Sequence, residues 1–99
     1  MITSKVTTRG LEVLIDIQSI DSSNSAEVTA NLKQLDLEGV SHVVLDLHKV
    51  EFVDSSGIEI LLSLYKSMNQ QLSLLRPSPT VLSVLELLRL DSILNVESE

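Results

Sequence analysis

The sequence predicts an α/β domain: a small mixed, mostly parallel β-sheet with packed α-helices, in the order β-β-α-β-α-β-α-β. Three observations predict it. Short runs rich in Val, Leu and Ile, such as 43–47 and 72–75, alternate with stretches whose apolar residues recur at helical spacing. The first strand-like stretch is followed by a Gly-containing turn and then by a run that alternates well between apolar and polar, the pattern of a hairpin. The 99 residues suit a single domain, 1–99, and leave no room for a second.

Each element has its own signal. Ile2 to Thr7 reads as a strand and Arg9-Gly10 as a turn. Leu11, Val13, Ile15 and Ile17 then face one way, and Glu12, Leu14 and Asp16 the other. Ser19 to Ser25 is polar and loop-like. Asn24 precedes Glu27 at capping-box spacing, and Val28, Leu32 and Leu35 follow at helical intervals up to Gly39. His42 to Leu47 is apolar enough to be a strand buried on both faces. Lys49 to Asp54 connects it to a helix whose Ile58, Leu61, Leu62, Tyr65 and Met68 share one face, ending at Gln70-Gln71. Leu72 to Leu75 is another strand. Ser78 is placed to cap the next helix with Pro79 at its first position, and Val81, Val84, Leu85 and Leu88 form its core face. Ile93 to Val96 reads as a last short strand and 97–99 as a free end. Alternating strands and helices imply right-handed crossovers, with helices on one face of the sheet or on both.

Composition narrows the function. A formal net charge of -7 argues against nucleic acid and anionic membrane surfaces, which need a basic patch, and suits a partner with a basic face. No cysteine is present, so disulfides, thiolate nucleophiles and thiolate metal sites are excluded. Residues 1–5 lack the character of a signal peptide and no apolar run approaches a membrane span, so a cytoplasmic protein without membrane insertion is expected. With three glycines and no glycine-rich loop there is no phosphate cradle, and no cofactor is expected.

One place departs from ordinary patterning. Phe52-Val53-Asp54-Ser55-Ser56-Gly57 lies between a strand and an amphipathic helix. Ser56 and Glu59 have capping-box spacing, which makes Ser56 the expected N-cap. Gly57 allows close backbone approach at the first turn. Ser55 is then left without a structural task on an exposed turn. A phosphate there would sit beside the positive end of the helix dipole, which the fold can tolerate, whereas a partner docked on the spot would have to bury the charge.

The runs Val43-Val44-Leu45-Asp46-Leu47, Val50 to Ile58 and Leu61 to Lys66 resemble the heart of the STAS family, and within it the bacterial anti-sigma factor antagonists. Leu72 to Leu75, Pro77-Ser78-Pro79 and Val84 to Asp91 are similar to the family's fourth strand and third helix, so the resemblance spans nearly the whole chain. It implies a binding module and not an enzyme. It also implies partner switching in transcription control: a serine-kinase anti-sigma factor of the histidine-kinase-like ATPase fold phosphorylates the antagonist, the unphosphorylated form binds that kinase and frees a sigma factor, and a PP2C-type phosphatase resets the switch. By position Ser55 is the implied acceptor, with Asp54 beside it, and Asp21 in the Ser19–Ser23 loop is a second contact. The chain departs from the family pattern at Gln18 and Ser19, where Gly and Glu are usual. It departs again at Arg89, where glycine is usual, and the usual C-terminal helix is not expected within residues 1–99. A rival reading is a STAS subunit of a larger assembly, such as a lipid-transport ABC complex, docking on an ATPase without phosphorylation.

Ile60 and Leu64, four apart beside the main stripe of the helix after Gly57, are expected either to belong to the buried stripe or to form a partly exposed docking strip with Asp54, Ser55, Ser56 and Gly57. Leu82 and Leu87 raise the same question on the third helix. His42, Asp46 and His48 point to one side of a strand, but strand-end histidines are far commoner than metal sites and no metal is expected. A hydrolase triad around Ser55 lacks both a nucleophile elbow and an oxyanion hole.

Overall fold

A computed structural model describes residues 1–97. Five strands form the main sheet in the order β1-β2-β4-β6-β7: β1 (Ile2–Thr7), β2 (Gly10–Ile15), β4 (Val43–Asp46), β6 (Leu72–Leu75) and β7 (Asn95–Glu97). β1 and β2 pair antiparallel, and every other neighbour pairs parallel. The mixed, mostly parallel sheet is therefore as expected. Two further strands were not expected: β3 (Ser19–Ile20) and β5 (Phe52–Val53) form a parallel pair of their own inside the segments read as loop and connection.

The helices are α1 (Ser25–Lys33), α2 (Ser55–Ser67) and α3 (Pro79–Leu87), followed by a 3-10 turn at Leu90–Ser92. Pairing register settles which face they cover. Leu11, Val13, Ile15, Val43, Leu45, Leu72 and Leu74 share one face and join Val28, Leu32, Leu61, Val81 and Leu85 of the helices in a single core. The opposite face carries Glu12, Leu14, Val44, Asp46, Ser73 and Asn95 and has no part in that core. It is roofed by polar side chains. Arg9 pairs with both carboxylate oxygens of Glu97 at 2.8 and 2.6 Å. His42 meets the Ser73 hydroxyl at 2.9 Å, and Asn95 donates to the same hydroxyl. Arg76 and His48 close over Asp46.

Several boundaries shift for visible reasons. The hairpin turn is Thr8-Arg9, and Gly10 already begins β2 with its backbone against the His42 carbonyl. α1 ends at Lys33, and Gly39 sits in a later turn. Asn24 stands at the N-cap of α1 but makes no capping bond, because its side chain braces the preceding loop. Ser78 caps α3 through the Val81 amide as expected. Leu88, expected in the core, lies past the end of α3 and is exposed, as is Leu87, while Leu82 is half-buried. Glu97, read as part of a free end, belongs to β7; Ser98 and Glu99 lie outside the described residues.

Arg89 turns the chain out of α3 in the left-handed region, with φ 59° and ψ 26°. A side chain there costs about 1–2 kcal/mol, which glycine avoids at the expense of a more flexible unfolded chain. Arg89→Gly is therefore expected to stabilise the fold by about 0.5 kcal/mol, read as a higher denaturation midpoint with an unchanged slope. A lower midpoint would contradict this account of the turn.

Candidate functional site

Asp54 leaves β5 with extended backbone, φ -105° and ψ -168°, and it is Asp54 that caps α2. Its Oδ1 accepts the amide hydrogens of Ser56 at 2.8 Å and Gly57 at 3.2 Å. The expected cap at Ser56 is thus replaced. Ser56 already lies inside the first turn, and a carboxylate in extended backbone at the helix mouth is the better partner for free amides. Ser55 is the first helical residue. Its side chain is exposed, and no hydrogen bond engages its hydroxyl among the described residues.

Gly57 is buried where α2 meets the small sheet. A Cβ there would lie 2.6 Å from the Ile20 carbonyl oxygen and 3.1 Å from the Val53 Cβ. The glycine lets the first turn of α2 rest directly on β3 and β5, which places Ser55 beside the loop that follows Ile20. In that loop Asp21 is held by its neighbours: Oδ2 accepts from the Ser19 hydroxyl at 2.8 Å, and Oδ1 accepts from the Ser23 amide at 2.9 Å and from the Ser23 hydroxyl. These bonds, those from Ser23 and Ser19 hydroxyls first, hold the Asp21 carboxyl below the usual aspartate range. Asn24 accepts the Asp21 amide and donates to the Ser19 carbonyl.

Asp21, Asp54, Ser55, Ser56 and Gly57 are thus brought together at one end of the molecule. Ile60 and Leu64 are not the partly exposed strip that was one of the two expectations. Each is 9% exposed and packed into the core. What remains accessible of them faces a groove of about 650 Å³ between α1 and α2, with Ala26, Leu32, Leu37 and Ser56 among its walls. The sequence reading missed Ser22 and Asn24, which tie the loop together and to α2. The clustering of Ser, Asp and Asn over residues 19–25 was the available signal, since such side chains bond nearby backbone in turns.

His42 and His48 do not converge. His42 is bonded to Ser73, whereas His48 and Asp46 sit together with Arg76 at the other end of β4, and no group of three metal-ligating side chains forms among the described residues. No helix of the described residues is long and apolar enough to cross a membrane.

The model of the STAS domain matches residues 4–99. The chain belongs to the STAS domain family. Solved structures agree with this fold. A Thermotoga maritima protein described as a candidate anti-sigma factor antagonist is 20% identical, with 98% of this chain and 86% of that chain covered and a TM-score of 0.80. The anti-sigma factor antagonist SpoIIAA in its unphosphorylated form is 19% identical, with 97% and 87% covered and a TM-score of 0.73. The Bacillus cell-fate determinant SpoIIAA in phosphorylated form is 20% identical, with 97% and 90% covered and a TM-score of 0.66. At such identities the likeness concerns the STAS fold.

Proposed function

We propose that this STAS domain is a phosphorylation-regulated docking module: an anti-sigma factor antagonist that binds a serine-kinase anti-sigma factor while Ser55 is unmodified and releases it once Ser55 carries phosphate. The reading rests on one observation above all. Asp54 performs the capping, so the Ser55 hydroxyl at the mouth of α2 is exposed and unengaged among the described residues. A phosphate can be added there without breaking a bond of the fold, and the positive end of α2 tempers its charge.

The surroundings favour a basic partner face. Asp21, Asp54 and Glu59 lie on or beside the turn, and the chain carries a formal charge of -7. Such a face must desolvate the region to bind, and two added negative charges at its centre oppose that even where their sign is complementary, because the oxygens hold water strongly and take up space. That SpoIIAA, a structural neighbour, is described in both unphosphorylated and phosphorylated forms is consistent with this reading. A PP2C-type phosphatase would restore the docking form.

The test pairs chemistry with binding. Incubation with a purified anti-sigma kinase of the histidine-kinase-like ATPase fold and ATP should add one phosphate, at Ser55, seen by mass spectrometry. Ser55→Ala should take none and still bind, and Ser55→Asp should bind at least tenfold more weakly. Equal phosphate on Ser55→Ala would refute the acceptor. Undiminished docking by Ser55→Asp would instead favour a constitutive subunit of a larger assembly.

A further inference from the structure

We propose that Asp54 is a positioning residue that latches the Asp21–Asn24 loop onto the first turn of α2, so that a partner meets the loop and the Ser55 turn as one surface. The evidence is a division of labour within one carboxylate. Oδ1 takes the two helix amides of Ser56 and Gly57, and Oδ2 takes the amide of Ser22 at 3.2 Å, 32 residues away in sequence.

The other bonds of the loop cannot do this. Those made by Ser19, Asp21, Ser23 and Asn24 give the loop its shape, but all lie within residues 19–24. The backbone connection to β5 and the Asp54 amide stops at Ile20, whose carbonyl accepts from the Asp54 amide at 3.2 Å. Beyond Ile20, the Ser22–Asp54 bond is the hydrogen bond joining loop to helix among the described residues. With that bond released, the loop keeps its own bracing and its bonds to Ser19 of β3 but loses its direct hydrogen bond to the first turn of α2. The value of the latch to a partner rests on the docking reading above; the latch itself does not.

Asparagine separates the two tasks of Asp54. It has one acceptor oxygen and one donating NH2, and as an N-cap it is as good as aspartate. In Asp54→Asn the oxygen can keep the Ser56 and Gly57 amides, while the NH2 would face the Ser22 N–H donor to donor. Amide hydrogen exchange on the full chain alone, followed by NMR, should show Ser22 exchanging at least fivefold faster in Asp54→Asn, with Ser56 and Gly57 within twofold of the parent. Asp54→Ala should free all three. Unchanged Ser22 exchange in both variants overturns the latch. Because no partner is present, a failed docking reading leaves this result intact, and a failed latch leaves the Ser55 phosphate test intact.

Discussion

Gly57→Ala is expected to lower the melting temperature by about 10 °C, although helix propensity alone predicts a rise. Alanine inside a helix is favoured over glycine by about 0.5–1 kcal/mol. Against this stands a Cβ placed 2.6 Å from the Ile20 carbonyl oxygen, a backbone atom that itself accepts from the Asp54 amide. A flexible side chain could swing away; a carbonyl in a strand pair cannot. Either α2 lifts from β3 and β5 or the small sheet opens, and such overpacking costs about 1–3 kcal/mol. For a domain of this size each kcal/mol moves the melting temperature by roughly 4–8 °C. Because the strain falls at the residue pairs beneath Ser55, amide shifts of Ile20, Ser22 and Asp54 should move with it. A variant that melts at or above the parent temperature would show that the close approach is not tight in solution.

The parts of the fold that could be read in advance are those where one local pattern acts alone. Every residue of β4 is buried, so its apolar run was unambiguous. Ser78 and Pro79 announced α3 because capping chemistry is a property of the local sequence. β3 and β5 have two residues each, too few for any period to appear, and Gly57 of α2 packs closely against both. The same contact turns α2 about its axis. The buried stripe runs through Gly57, Ile58, Ile60, Leu61 and Leu64, whereas Leu62 and Tyr65, also expected on it, are only half-buried. Glycine carries no hydrophobic signal, so a stripe that begins on it is invisible to periodicity.

The site was legible in its residues and not in its bonds. The turn 54–57 stood out, but Ser55, read as lying on a turn just outside the cap, is the first residue of α2 inside it. The cap went to Ser56 because Ser-x-x-Glu is a recognised spacing, while the claim of Asp54 depends on its extended backbone, and its second bond, to Ser22, is concealed by sequence distance. Likewise Ile60 and Leu64 lie in the core with α1 packed beside α2, a packing fact that neither helix reveals by itself.

On the far face of the sheet, Asp46→Asn is expected to cost about 2 kcal/mol at neutral pH, with a gap that closes in acid. The Asp46 side chain is 5% exposed. It accepts from the His48 amide at 3.0 Å and from Arg76 at 2.5 Å, and meets the His48 ring at 2.8 Å. Hydrogen bonds to a charged acceptor contribute about 1.5–3 kcal/mol, and the asparagine NH2 would face one of these donors. Arg76 is 45% exposed, so water screens its share and keeps the expected loss toward the lower part of that range. Burial by itself would raise the Asp46 pKa; the His48 amide, the His48 ring and the Arg76 guanidinium override it and hold the group below the usual aspartate value. The unfolded chain therefore protonates first. The stabilisation is whole above the unfolded value, near 4, and drains away as pH falls through the lower folded value. Urea unfolding of parent and variant should thus differ by a constant amount from about pH 5 upward and converge well below pH 4. A difference undiminished at the acid end would mean that the variant loses packing and not an ion pair. The location ties the experiment to the candidate site: Asp46 ends β4, and the chain runs from there through Val50 and β5 to Ser55, so loosening this corner tests how far the Ser55 turn depends on the sheet behind it.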